Sequence, residues 1–188
     1  MAQRILILYA TTDGQTGKIA RAIGRTLHDV GVQALVVNAA DAQGARPEDF
    51  DAVIVAASVH AGGYQRSVVR WVRAHLVGLN GRPTAFVSVC LGVLQHDPVV
   101  DREIAAIAER FFGKTLWRPH EVKVVAGALM YTKYWWWKRL AMRRIVAKAH
   151  GDIDTSRDFE YTDWEDVALF AKRFALKIQN LAPVRLAV

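Results

Sequence analysis

At 188 residues, with 52% hydrophobic and 23% charged side chains, the chain has the composition of an ordinary folded protein and not of a disordered one. No Pro-, Gly- or Ser-rich linker divides it and no apolar run approaches the roughly 18 residues of a membrane-spanning helix, so we expect a single domain over residues 1–188. The net charge of +7 favours an anionic partner, while the single cysteine, Cys90, excludes an internal disulfide and a thiolate metal site, and no metal is expected.

Short apolar runs alternate with helical patterns along the chain. The apolar runs predict strands at residues 4–10, 34–37, 51–57, 84–89 and 121–129. Apolar residues at helical spacing predict helices from residue 16, over 67–79, over 99–112 and after 162, the last with Thr162 as N-cap and Glu165 three residues later. This alternation predicts an α/β fold, a doubly wound five-stranded parallel sheet with helices on both faces.

Three loops, at residues 11–16, 58–64 and 88–96, follow predicted strands and carry residues suited to ligand binding. The carboxyl ends of parallel strands share one edge of a sheet, and open α/β sheets bind their ligands there. We therefore expect the three loops to converge on one site.

The first loop reads Thr11-Thr12-Asp13-Gly14-Gln15-Thr16. A phosphate placed there would meet the free N–H groups and the positive end of the following helix, while Gly14 allows close approach of the backbone. The Walker lysine and the G-x-G-x-x-G pattern are both missing. The loop instead resembles the flavodoxin pattern S/T-x-T-G-x-T, which implies FMN, with Asp13 expected to point outward or to cap the helix. The expected phosphate-binding residues are Thr11, Thr12, Gly14, Gln15 and Thr16.

The second and third loops are expected to border the flavin ring. Glycines in the second loop would let backbone amides reach the ring, and His60 or Tyr64 could pack on it. These two side chains are the candidates for a catalytic role, and no general base is identified. The cofactor-binding residues expected in these loops are Ser58, Val59, His60, Gly62, Gly63, Tyr64, Ser88, Val89, Cys90 and Leu91.

Along nearly all its length the sequence resembles the menaquinone-dependent protoporphyrinogen oxidase family of long flavodoxin-like proteins. The resemblance rests on Asp-Gly-Gln-Thr at 13–16, Ala-Ser at 57–58, Trp-Arg-Pro at 117–119, Ala-Gly-Ala-Leu at 126–129 and Tyr-Thr-Asp-Trp-Glu at 161–165. It implies FMN-dependent oxidation of protoporphyrinogen IX to protoporphyrin IX in haem biosynthesis, with electrons passed to a membrane quinone.

Two alternatives remain open at this point. An electron-carrier flavodoxin is typically acidic, so a charge of +7 counts against it. An NAD(P)H:quinone reductase stays open because His60-Ala61-Gly62 replaces the Arg-Tyr-Gly that the family usually carries in the second loop.

An insertion is expected after the fifth strand, at about residues 130–160, and its part from 131 to 150 contains cations and aromatic residues but no acid. Tryptophan and tyrosine beside lysine and arginine suit a membrane interface or the propionates and macrocycle of a porphyrinogen. A solvated helix is the plainer interpretation, and single-stranded nucleic acid is the least favoured, so no nucleic-acid partner is expected. We expect a cytoplasmic protein, peripheral on the anionic inner face of the cell membrane. The expected contact residues are Tyr131, Tyr134, Trp135, Trp136, Trp137, Lys138, Arg139, Arg143 and Arg144.

Overall fold

A five-stranded parallel sheet forms the centre of the computed structural model, which describes residues 3–129 and 158–181. Its strands are β1 (Arg4–Ala10), β2 (Gln33–Asn38), β3 (Ala52–Ser58), β4 (Thr84–Val89) and β5 (Glu121–Val125). They lie in the order β2-β1-β3-β4-β5, so the chain first extends the sheet on one side of β1 and then on the other. The crevice at such a reversal, beyond the ends of β1 and β3, is where ligands bind in open α/β sheets.

Five α-helices accompany the sheet in the described ranges. They are α1 (Gln15–Asp29), α2 (Arg66–Ala74), α3 (Leu76–Asn80), α4 (Pro98–Thr115) and α5 (Trp164–Leu181), with short 3₁₀ helices at Pro47–Asp49 and Leu91–Gln95. The single helix predicted over 67–79 is wrong, because the backbone leaves the helical region at His75. The ring Nδ1 of His75 lies 2.8 Å from the carbonyl oxygen of Trp71, which also accepts from the backbone N–H of His75 at 3.1 Å.

Alternate residues of the central strands serve two apolar cores. Ile5 and Ile7 face α1 and α5, whereas Leu6 and Leu8 face α2 and α4, as the two-residue period of a strand requires. Burial of each such side chain stabilises the fold by about 1.5–3 kcal/mol. The first core includes Ile19, Ile23, Leu27, Phe170, Phe174 and Ile178, and the second includes Trp71, Val72, Phe86, Phe111, Phe112 and Trp117. These cores hold the helices on opposite faces and leave the carboxyl edge of the sheet for loops.

The fifth strand is shorter than predicted. It ends at Val125, and Ala128–Leu129 forms a separate strand, β6, that pairs antiparallel with β7 (Phe159–Glu160). The reason is a change of hydrogen-bond partner: the carbonyl of Val125 accepts from Cys90, next to β4, whereas that of Gly127 accepts from Tyr161. The chain therefore leaves the main sheet at Ala126 and meets its later residues 158–162.

The start of α5 differs by one residue from the prediction. Asp163 caps this helix, because its Oδ1 accepts a hydrogen bond of 2.9 Å from the backbone N–H of Asp166. Thr162, the predicted cap, instead donates its hydroxyl to the carbonyl of Ala126 at 2.8 Å. Val167, Phe170, Ala171, Phe174 and Ile178 of this helix are buried in the first core. No helix in residues 3–129 and 158–181 combines the length and apolar character needed to span a bilayer.

Candidate functional site

A cavity of about 360 Å³ opens beyond the carboxyl ends of β1, β3 and β4. All three predicted loops contribute to its lining, so their predicted convergence is confirmed. The lining residues are Thr11, Asp13, Gln15, Thr16, Ser58, Val59, His60, Ala61, Val89, Cys90, Leu91, Gly92, Gly127 and Ala128. A larger groove of about 800 Å³ runs along the second half of α1 beside β2 and the start of α5, but it lies away from these loops.

The expected cofactor residues divide into two groups. Those that line the cavity are Thr11, Gln15, Thr16, Ser58, Val59, His60, Val89, Cys90 and Leu91. Those that do not are Thr12, Gly14, Gly62, Gly63, Tyr64 and Ser88. Sequence reasoning missed Gly127 and Ala128, because the fifth strand was predicted to continue to residue 129. With the strand ending at Val125, these two residues lie in a segment that follows a strand, as the three predicted loops do.

The first loop is shaped by Gly14, whose φ of 104° is in the left-handed region that favours glycine. Its backbone N–H donates to Oγ1 of Thr11 at 2.9 Å, and α1 begins at the next residue. Thr16 is 1% exposed, and its hydroxyl has no hydrogen-bond partner among the described residues. An unpaired buried hydroxyl costs about 1–3 kcal/mol, so this atom is suited to a polar ligand group. Asp13 also lines the cavity.

The second loop is a tight two-residue turn. His60 and Gly63 exchange backbone hydrogen bonds of 2.8 and 3.1 Å, and Ala61 and Gly62 between them have φ values of 47° and 73°. Two successive positive φ values define the hairpin turn that favours glycine and asparagine, and alanine is unusual there. The N–H of Gly63 is thus used within the turn, and neither glycine lines the cavity as expected.

Tyr64 turns into the second core. Its ring packs edge-on against Phe86 and Phe111 at centroid distances of 5.0 and 5.2 Å, and its hydroxyl lies 2.7 Å from Oγ of the fully buried Ser88. Burial raises the pKa of Tyr64 to about 12. The structure therefore does not support Tyr64 as a ring-packing or catalytic residue, nor Ser88 as a direct ligand, and His60 is the candidate that remains at the cavity.

Cys90 borders the cavity as expected, in a half-buried position. Its Sγ accepts a hydrogen bond of 3.4 Å from the N–H of Gly92, while burial raises the pKa of the thiol. The side chain therefore stays protonated at neutral pH and behaves as part of the apolar wall.

Gln65 is a site-shaping residue that sequence reasoning missed. Its Nε2 donates to Oγ1 of Thr12 at 3.1 Å and to Oγ of Ser58 at 2.7 Å. One amide thus ties the first loop to the end of β3. Nothing in its sequence context distinguishes Gln65 from any glutamine at the start of a helix.

Gln15, which lines the cavity, is hydrogen-bonded to a residue far along the chain. Nε2 of Gln15 donates to Oγ1 of Thr162 at 2.9 Å, across 147 positions. Beside it, Glu160 accepts from Lys18 at 2.9 Å and from the indole of Trp164 at 3.0 Å, and the hydrogen bond from Lys18 is the main cause of the lowered pKa of Glu160. The start of α1 is therefore fastened to β7 and α5.

The basic aromatic residues lie outside the described residues. These are Tyr131, Tyr134, Trp135, Trp136, Trp137, Lys138, Arg139, Arg143 and Arg144. The described chain flanks them with β6 and β7, and Ala128 of β6 lines the cavity.

The sheet order and the loop site at its carboxyl edge define a flavodoxin-like protein. Residues 6–156 match the family described as Flavodoxin domain. Among solved structures, a flavodoxin from the domain Archaea is 14% identical, with 94% of this chain and 99% of that chain covered and a TM-score of 0.55. A short-chain flavodoxin associated with a PDU bacterial microcompartment is 15% identical, with 95% and 99% covered and a TM-score of 0.57. These similarities confirm the predicted fold.

Closer relatives identify the branch of this class. Protoporphyrinogen IX dehydrogenase (quinone) of Escherichia coli strain K12 is 36% identical over 172 residues, which are 92% of this chain and 94% of that protein. The protein of the same name from Leishmania major is 32% identical over 176 residues, 92% of this chain and 74% of that protein. The chain therefore belongs to the protoporphyrinogen IX dehydrogenase (quinone) family of flavodoxin-domain proteins, as the resemblance predicted. It is a flavin-dependent oxidoreductase.

Proposed function

We propose that this protein binds FMN in the cavity and oxidises protoporphyrinogen IX to protoporphyrin IX, with electrons passed to a membrane quinone. The observation that carries the proposal is the 36% identity to the Escherichia coli dehydrogenase over 92% of the chain. Substrate and acceptor are those in the name of that relative.

The residues of the first loop fit a flavin phosphate. The buried hydroxyl of Thr16 lacks a partner among the described residues and can donate to a phosphate oxygen. The first N–H groups of α1 have no partner within the helix and carry its positive end. Gly14 has no side chain to obstruct the approach. The phosphate would therefore be held by neutral donors, without a lysine or arginine from the loop.

The rest of the lining fits a flavin ring. Val59, Val89 and Leu91 supply an apolar surface, and the ring would lie among them. When bound, FMN supplies the redox chemistry, the acceptance of electrons from the porphyrinogen and their transfer to a quinone. His60 lines the cavity and is exposed, so it is the candidate to take up a proton that the substrate releases.

Substitution of Thr16 by valine tests the phosphate assignment. Thr16→Val keeps the shape of the side chain and removes the donor, so we expect the Kd for FMN to rise about five- to tenfold or more. The Kd for riboflavin, which lacks the phosphate, should not change. Thr26→Val, on the same helix but in the groove away from the loops, is the matched control and should alter neither constant. Equal weakening of FMN and riboflavin by Thr16→Val would contradict the assignment. Flavin fluorescence measures both constants.

We also propose contact with an anionic membrane through the basic aromatic segment. The support is compositional: residues 131–150 combine tryptophans, tyrosines and cations without an acid, in a chain of net charge +7. Each cation near an anionic surface contributes about 1 kcal/mol. The protein would then be cytoplasmic and peripheral on the inner face of the membrane, next to a lipid-soluble quinone.

Vesicle sedimentation tests the membrane contact. We expect the protein to pellet with vesicles rich in phosphatidylserine, to stay in the supernatant with neutral vesicles, and to be released as salt screens the charges. Protein that remains in the supernatant with anionic vesicles at low salt would contradict the proposal and favour an electron carrier.

A further inference from the structure

Gln15 and Thr162 form a buried relay at the cavity. Gln15 is 5% exposed and Thr162 is 8% exposed. Nε2 of Gln15 donates to Oγ1 of Thr162 at 2.9 Å, and that hydroxyl donates to the carbonyl oxygen of Ala126 at 2.8 Å. Thr162 thus connects the end of β5 with the first residue of α1.

The chemistry of this relay allows only one orientation of the Gln15 amide. A hydroxyl has one hydrogen, and a carbonyl oxygen can only accept, so the hydrogen of Thr162 is used by Ala126. Oγ1 of Thr162 can then only accept, and Gln15 must turn its NH₂ group toward it. Glu160 agrees with this orientation: the pKa of its carboxyl is lowered mainly by Lys18 and to a smaller extent by a hydrogen bond from Gln15. The NH₂ group of Gln15 is therefore turned toward Thr162.

The amide oxygen of Gln15 is left on the other side. Oε1 is buried and has no hydrogen-bond partner among the described residues, and Gln15 lines the cavity. A buried carbonyl without a donor costs about 1–3 kcal/mol, which a ligand with an O–H or N–H group can recover. Next to it along the chain stands the unpaired donor of Thr16. The first turn of α1 thus has an unpaired acceptor at Gln15 and an unpaired hydroxyl at Thr16, and both residues line the cavity.

We infer that Thr162 is a positioning residue, which orients Gln15 so that Oε1 accepts a hydrogen bond from a hydroxyl of the bound ligand. The inference rests on the proposed binding of FMN at this cavity. In FMN the ribityl chain next to the phosphate carries hydroxyl groups. The hydroxyl of Thr16 would therefore donate to the phosphate, and Oε1 of Gln15 would accept from a ribityl hydroxyl. Gln15, oriented by Thr162, would therefore favour a flavin phosphate with a hydroxylated side chain over one with a plain hydrocarbon side chain.

The test compares FMN with an analogue in which an unsubstituted pentyl chain joins the ring and the phosphate. Binding to the full chain is followed by flavin fluorescence. We expect the wild-type protein to prefer FMN by about five- to tenfold, and Gln15→Leu to remove most of this preference. Thr162→Val should raise the Kd for FMN by a similar factor and should change the Kd for the analogue little. Thr162→Ser, which retains the hydroxyl, should restore wild-type FMN affinity.

The double variant separates positioning from general structural support. If Thr162 acts through Gln15, adding Thr162→Val to Gln15→Leu changes the Kd for FMN by less than about twofold. The inference is overturned if Thr162→Val raises the Kd for FMN as much in the Gln15→Leu variant as in the wild type. It is also overturned if Thr162→Val weakens the binding of FMN and of the analogue equally. The wild-type comparison needs no variant: equal binding of FMN and the analogue overturns the inference alone. A wild-type chain that binds no FMN overturns the proposed function as well.

Discussion

Gly62 and Gly63 are neighbours in the second loop with different backbone conformations. An added Cβ would meet nothing within 4 Å at either position, but only Gly62 has a positive φ, of 73°. We therefore expect Gly62→Ala to lower the free energy of unfolding by about 1–2 kcal/mol, because alanine is strained in the left-handed region. Gly63→Ala is the matched control and should change stability by less than about 0.5 kcal/mol. Denaturant unfolding measures both, and equal losses would contradict the turn geometry.

Tyr64 gives a second prediction at the residue scale, which concerns how the free energy of unfolding depends on pH in the alkaline range. Burial raises its pKa to about 12 from the ordinary value of 10. Between these values the unfolded chain loses the proton while the folded chain keeps it, so the free energy of unfolding falls as the pH rises from about 10 to 12. Tyr64→Phe should remove this part of the slope. At pH 7 it should cost about 0.5–1.5 kcal/mol, because the buried hydroxyl of Ser88 loses its partner.

Unfolding by urea at several pH values, with wild type and variant side by side, measures this difference. Groups other than Tyr64 titrate equally in the two proteins, so only the difference between the two slopes carries the prediction. Identical slopes would mean that the phenol is not held in the core as described.

Some site residues could be predicted one by one, and others could not. Thr11, Gln15 and Thr16 were predicted because their position between a strand and a helix itself places them at the sheet edge. The position of Tyr64 could not be predicted. Whether its ring faces the ligand or packs in the core depends on Phe86 and Phe111, which are distant in sequence. Such a preference for packing against other aromatic rings leaves no local pattern.

At the element scale, Gly24 and Gly113 test how closely the helices approach the sheet. Both lie inside helices, where alanine is favoured over glycine by about 1 kcal/mol. A Cβ at Gly24 of α1 would lie 2.9 Å from Cγ2 of Val36 on β2, whereas one at Gly113 of α4 meets nothing within 4 Å. We expect Gly113→Ala to raise the melting temperature, and Gly24→Ala to lower it because overpacking costs about 1–3 kcal/mol. A rise for both would contradict the close contact of α1 with β2.

The element boundaries that were mispredicted share a cause. The apolar pattern continues unbroken through Val125 to Leu129, but the backbone changes its hydrogen-bond partner from β4 to residues 159–162 between them. Hydrophobic periodicity indicates which side of a segment is buried, but it does not indicate which strand the segment pairs with. The helix break at His75 likewise falls inside a continuous helical pattern, which does not record a local change of backbone conformation.

At the scale of the whole molecule, the five-stranded parallel sheet with helices on both faces followed from the sequence. Strands alternating with helices admit few arrangements, because crossovers between parallel strands are right-handed. The attachment of α1 to Glu160 and Thr162 did not follow, since Lys18 and Gln15 lie 142 and 147 positions before these partners and the contacts are side-chain hydrogen bonds. The site is thus a predictable edge of a common fold, and long-range hydrogen bonds from Glu160 and Thr162 hold the start of α1 beside it.

The central claim concerns the electron donor. The measurement is stopped-flow absorbance of the FMN-loaded protein, mixed anaerobically with protoporphyrinogen IX and, separately, with NADH. The account predicts bleaching of the flavin band by the porphyrinogen and no rapid change with NADH, in keeping with the family of the chain. A flavin that stays oxidised with protoporphyrinogen IX but is bleached by NADH would contradict the account and indicate a nicotinamide-dependent reductase.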